Sequence, residues 1–145
     1  MDPHFIIDTG RNGVTDMRAD CSHWCNIRGA GIGHLPTTNT GNSSIDAYLW
    51  LKTPGESDGC TQTLPDGSQC PRFDSQCGSY DSIGSQGSEP RAPEAGQWFD
   101  YQIKKLAENA DFDGTRRLNS SLYQSRYGVT KARQPFIPGI PLFLN

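Results

Sequence analysis

Apolar residues in this chain come in short bursts separated by long polar stretches. The first burst, Phe5-Ile6-Ile7, runs into Asp8-Thr9-Gly10-Arg11-Asn12-Gly13, and this pattern predicts a short buried strand followed by a Gly-rich turn. The second, Ile45 to Lys52, puts Ile45, Ala47, Leu49 and Leu51 on one face, while Tyr48 and Trp50 make the other face apolar too. Two apolar faces are the signature of a parallel strand covered on each side. The third predicts a helix opened by Pro93-Glu94, with Ala95, Phe99, Ile103, Leu106 and Ala110 at helical spacing. Trp98 and Ala107 widen its stripe, and Asp113-Gly114 reads as its end.

The stretches between are less patterned. Residues 14–44 show no sustained period and read mostly as loop. Residues 53–93 are dense in Gly, Ser, Asp and Pro, and a loop that long inside a domain is normally functional or disordered. Its three cysteines argue for order. Two strands and one helix do not close a parallel core, because each strand offers an unpaired edge and two apolar faces that need covering. The expectation is therefore part of a domain.

Composition sharpens this picture. Only 34% of the 145 residues are hydrophobic, against 16 Gly and 10 Pro, which implies long ordered loops rather than a compact bundle. The net charge of −3 is uneven: residues 1–113 carry −8, and residues 114–145 carry five basic side chains and no acidic one. That basic tail closes in Pro135-Phe136-Ile137-Pro138-Gly139-Ile140-Pro141 and is expected to be disordered. A mildly acidic body gives no reason to expect nucleic acid as a partner. No apolar run is long enough to suggest a membrane partner. Cys21, Cys25, Cys60, Cys70 and Cys77 suggest disulfides and an oxidising compartment. Asn42-Ser43-Ser44 and Asn119-Ser120-Ser121 are glycosylation acceptor patterns consistent with export. Met1-Asp2-Pro3-His4 lacks the basic and long apolar regions of a signal peptide, so the true N-terminus is expected upstream.

Candidate chemistry gathers after the second strand, in Lys52-Thr53-Pro54-Gly55-Glu56-Ser57-Asp58-Gly59. A cation and carboxylates where a buried strand emerges form the layout of an active-site rim in a parallel barrel, although solvated charge capping a strand has the same pattern. Sugar hydrolysis needs carboxylates flanking the glycosidic bond, and Asp58 and Glu56 supply them. Arg11 follows the other strand, and parallel strand ends point to one face. Arg11 and Lys52 can thus both sit beside Asp58 and stabilise its ionised form. Trp24 is either a stacking platform for a sugar ring or a core residue; Trp50 and Trp98 are assigned to the core. Cys21-Ser22-His23-Trp24-Cys25 has short Cys/His spacing, but no second Cys-x-x-Cys pair follows, so no metal is expected. No cofactor is expected either. His4 and His34 read as ordinary polar residues, and Gly29-Ala30-Gly31-Ile32-Gly33 as a tight loop rather than a phosphate loop.

Taken in order, several motifs resemble glycoside hydrolase family 6, the cellulases that include the fungal cellobiohydrolases. They are Ile7 to Gly13, Trp24-Cys25-Asn26, Gly29 to Gly33, Thr38-Asn39-Thr40-Gly41, Asp46 to Gly59, Arg72 to Cys77 and Ala92 to Phe99. The resemblance spans residues 4–112 and covers only the C-terminal half of the family's domain. It implies an α/β fold, the C-terminal part of a distorted seven-stranded parallel β/α barrel, with residues 1–113 as the domain portion and 114–145 outside it. It implies hydrolysis of β-1,4-glucosidic bonds in cellulose or cello-oligosaccharides with inversion, without metal or cofactor, by a secreted enzyme that is a monomer when complete.

Residue by residue, the resemblance makes Asp58 the catalytic base and Lys52 and Glu56 ligands of glucosyl units near the cleavage point. Trp24 becomes an aromatic platform, and Arg11 the arginine that pairs with the base together with the lysine. It implies a Cys25–Cys77 disulfide; Cys60 and Cys70 would then pair, leaving Cys21 over. The family's general acid lies in an earlier Y-x-x-P-x-R-D-C motif that this sequence lacks, so the chain alone is expected to be inactive. The long segment from Cys60 to Pro93 points to exo-type action, since exo-acting members roof the cleft there. The alternative is a non-catalytic secreted protein, either a carbohydrate-binding remnant or a cysteine-stapled interaction domain.

Overall fold

The computed structural model describes residues 2–18 and 20–115. Strand β1 (Phe5–Asp8) and strand β2 (Ile45–Leu49) pair in parallel, with Ile6 opposite Ala47, Ile7 opposite Tyr48 and Asp8 opposite Leu49. The parallel sense follows from the long crossover between the two strands. Both strands end at the same pole, and Thr9 N extends the ladder by donating to Leu49 O at 2.8 Å.

β2 stops three residues before the pattern predicts. Beyond it, Lys52 N turns back to Asp8 Oδ2, and the Trp50 indole donates to His34 O. Leu51, assigned by alternation to the buried face, is 67% exposed, whereas Trp50 packs against the core. Phe5 and Ile6 are also more than half exposed. This small sheet therefore lacks the two-sided cover that its apolar strands call for.

Helix α1 (Asp100–Glu108) begins later than Pro93 and ends before Asp113. The reason lies in the 94–99 backbone, which pairs with the rim loop instead of coiling. Ser57 N donates to Gln97 O, Gly96 N to Ser57 O and Phe99 N to Gly55 O, and Glu56 faces Trp98 in an antiparallel bridge. Gly96 completes this path at φ +80°, a left-handed conformation that favours glycine. Trp98 is consequently 58% exposed, not a core residue. At the other end, Asp111 N leaves the helix to bond Ile32 O.

The core lies under α1. Leu106 packs with Ile27, Ala30 and Ile32, and with the flanks of Met17, Trp50, Ile103 and Ala110. Ile83 and Ala92 of the long 53–93 loop pack with Phe99, just before α1, in a second cluster, so the loop is ordered around an apolar centre. The loop is stapled by Cys25–Cys77 and Cys60–Cys70, while Cys21 is exposed and free. An Arg28–Glu89 ion pair also holds it, with Glu89 accepting from Gly84 N at 2.9 Å. The expectation of a disordered tail concerns a segment that, from residue 116 onward, lies outside the described residues.

Candidate active site

The common strand pole carries the charged side chains. Asp58 is almost buried, its side chain 8% exposed, at the end of the loop leaving β2. Its Oδ2 accepts from Arg11 Nη1 at 2.5 Å and from Asn26 N at 2.8 Å, and Lys52 Nζ lies 3.8 Å from Oδ1. Arg11 arrives from the turn after β1 and Lys52 from the turn after β2. Gly10 allows this close passage, since a Cβ there would lie 2.4 Å from Lys52 O. Lys52 Nζ also donates to Glu56 Oε2 and to Ser57 O, each at 3.2 Å. Arg11, Lys52, Glu56 and Asp58 therefore form one connected cluster.

Asn26 is the residue that sequence reasoning missed. It is fully buried, and its backbone and side chain clasp Asp58 from both sides: Asn26 N donates to the carboxylate, and Asn26 Oδ1 accepts from Asp58 N at 2.8 Å. Its Nδ2 donates to Gly59 O at 2.9 Å, while Oδ1 also accepts from Gln102 Nε2 of α1 at 3.2 Å. Asn26 adopts φ +40°, a region Asn tolerates better than other non-glycine residues. The available signal was its position after Cys25, whose disulfide pins the turn.

Trp24, 42% exposed, stands between two openings. One cavity of about 390 Å³ is lined by Trp24, Asp58, Arg72 and Glu94, the last two joined as an ion pair at 2.7 Å. A larger one, about 630 Å³, lies on the side of Arg11, Asp8 and Gln102. An indole face open to a cavity that also holds a carboxylate suits the stacking of a hydroxylated ring. Trp24 is thus no core tryptophan.

The short Cys/His spacing does not assemble a ligand set, because Cys25 is bonded to Cys77. Among the described residues only Cys60, Cys70 and Glu94 bring three ligand atoms together, and the two cysteines are joined by a disulfide. His34 stacks on Tyr48, and His4 pairs with Asp46. Gly31 and Gly33 lie against Asn109 O and Asn12 Oδ1, which fits a packed loop.

The sequence profile of Glycosyl hydrolases family 6 matches residues 1–110. The chain belongs to that family. A similar family 6 protein is the probable 1,4-beta-D-glucan cellobiohydrolase C of Aspergillus terreus, 46% identical over 111 residues, covering 76% of this chain and 21% of that protein. The catalytic core domain of the cellobiohydrolase Cel6A from Chaetomium thermophilum superposes with a TM-score of 0.62 at 42% identity, over 77% of this chain and 28% of that one. Cellobiohydrolase II (Cel6A) from Humicola insolens, in complex with glucose and cellotetraose, gives 0.60 at 41% identity, over 74% and 27%. The chain spans about a fifth of the length of the curated family 6 relatives it matches. Among the described residues no helix is long and apolar enough to cross a membrane.

Proposed function

We propose that residues 1–113 are the C-terminal portion of a family 6 catalytic domain, a distorted seven-stranded β/α barrel. The domain hydrolyses β-1,4-glucosidic bonds of cellulose with inversion, in the exo manner of a cellobiohydrolase, as an extracellular monomer. Support for the substrate class comes from the cellobiohydrolase relatives and from the Humicola insolens complex with cellotetraose.

The observation that carries the reading is the held carboxylate. Asp58, clasped by Arg11 and Asn26 N beside Lys52, is held fixed at the rim where parallel strands end. In the proposed reaction Asp58 acts as general base on a water attacking the anomeric carbon. Lys52 and Glu56 bind hydroxyls of the flanking glucosyl units, Trp24 stacks on a ring, and Arg11 orients the base. Inversion requires an acid across the bond, roughly 6.5–9.5 Å from the base. The family's acid motif is absent from this sequence, so the chain by itself supplies one wall of the cleft.

Titration of the full chain with cellotetraose tests this. Saturable quenching of tryptophan fluorescence is expected, with no cleavage products by chromatography, and Trp24→Ala weakens binding about tenfold, worth ~1.4 kcal/mol. Cleavage by the purified chain would overturn the assignment of the acid to a part of the family domain not matched here. Binding unchanged in Trp24→Ala would overturn the cleft.

A further inference from the structure

The pole opposite Asp58 carries a feature that sugar hydrolysis does not use. Asn42-Ser43-Ser44 forms the tight turn that feeds β2, and all three residues are exposed. The turn is fixed internally: Thr40 Oγ1 donates to Ile45 O at 2.7 Å, Ile45 N to Asn42 O at 3.1 Å and Ser44 N to Asn42 Oδ1 at 2.9 Å. The carboxamide oxygen is thereby occupied, whereas Asn42 Nδ2 makes no hydrogen bond among the described residues and faces solvent. A Cβ placed on the preceding Gly41 would meet nothing within 4 Å, so the space around the turn is open.

We propose that Asn42 is an N-glycosylation site whose glycan projects from the pole of the domain away from the cleft. The acceptor pattern Asn-x-Ser needs an accessible amide nitrogen and a free hydroxyl two residues on, and Asn42 and Ser44 supply both. In the modification, Nδ2 forms a bond to C1 of a reducing-end sugar as the bond from C1 to a lipid-linked pyrophosphate breaks. The lipid pyrophosphate leaves with the electron pair, the amide proton passes to a base, and nothing is oxidised or reduced. The donor is a lipid pyrophosphate-linked oligosaccharide.

Placement makes the modification compatible with substrate. β2 runs from Ile45 to Leu49, away from this turn and towards Lys52 and Asp58. Five strand residues at ~3.3 Å each separate the two ends by roughly 17 Å. A glycan on Asn42 therefore shields the outer edge near Phe5, whose N donates to Ser44 O, and leaves the Trp24 cavities open. This inference rests on the extracellular part of the proposed function and is independent of Asp58's role.

The test is secretion of the full chain from a yeast or filamentous fungus behind a supplied leader, followed by peptide mapping with and without peptide-N-glycosidase. The enzyme should convert residue 42 from a glycan-bearing Asn to Asp in most of the secreted chain. Asn42→Gln and Ser44→Ala should each abolish that conversion, and Asn119→Gln should not. Cellotetraose affinity before and after deglycosylation should agree within about twofold. Secreted chain with unmodified Asn42, whether or not Asn119 is occupied, overturns the proposal. Occupied Asn42 with a several-fold gain in affinity on deglycosylation overturns its placement away from the cleft.

Discussion

Replacing Asn26 with Ala is the perturbation that bears most directly on how the site is held. It deletes the carboxamide that accepts from Asp58 N and Gln102 Nε2 and donates to Gly59 O. Gly59 O keeps Ser57 Oγ at 3.1 Å, but Asp58 N and Gln102 Nε2 lose these partners in a buried setting. Each orphaned buried donor costs roughly 1–3 kcal/mol. Forcing Ala to remain at φ +40° adds about 1 kcal/mol. The total, ~3–7 kcal/mol, rivals a small domain's entire ~5–15 kcal/mol. Urea denaturation of the full chain, followed by tryptophan fluorescence, reads the difference. Asn26→Gly loses the same hydrogen bonds but tolerates the backbone conformation, so it should be less destabilised than Asn26→Ala by about 1 kcal/mol. An Ala variant within ~1 kcal/mol of the parent would refute the clasp. Equal losses in the two variants would refute the backbone contribution.

Further consequences concern the long loop. The Arg28 guanidinium, hydrogen-bonded to Glu89, holds that carboxyl below its ordinary 4.5, and the Gly84 amide adds to the effect. A lowered folded-state value contributes stability that is present above pH 4.5 and is lost as pH falls through it. Acid titration of chemical stability should therefore show a slope below pH 4.5 that Glu89→Gln reduces; identical acid limbs in parent and variant would contradict the pairing. Cys25–Cys77 spans 52 residues and Cys60–Cys70 spans 10. Loop-closure entropy then ranks them at ~4 and ~3 kcal/mol, so Cys25→Ala/Cys77→Ala should lower the urea midpoint more than Cys60→Ala/Cys70→Ala. The reverse order would show that the loop is held by its apolar cluster instead.

Much of the site was legible because parallel strands deliver whatever follows them to one pole. Arg11 after β1 and Lys52 to Asp58 after β2 could be brought together from sequence position alone. What was illegible has specific causes. Ala95, Phe99, Ile103 and Leu106 keep helical spacing, yet the 94–99 backbone bonds to the rim loop, and non-local hydrogen bonds leave no trace in periodicity. Trp98 followed that error out of the core and into solvent. Alternation along Ile45–Leu51 carried the strand too far, because Asp8 caps Lys52 N across the pair and turns the chain early. Asn26 was invisible for the same kind of reason: its partners are 31 to 76 residues away in the chain.

The central claim is that Asp58 is the base of a cellulose-hydrolysing domain. It is tested most directly in a chimera in which residues 1–110 replace the matched segment of the Aspergillus terreus relative. With cellotetraose as substrate, the chimera should release products of inverted anomeric configuration. Asp58→Asn in that background should lower kcat by at least ~100-fold, the loss expected for a positioned general base, with KM little changed. A folded chimera that binds cellotetraose but does not hydrolyse it, or one whose kcat survives Asp58→Asn, would contradict the account.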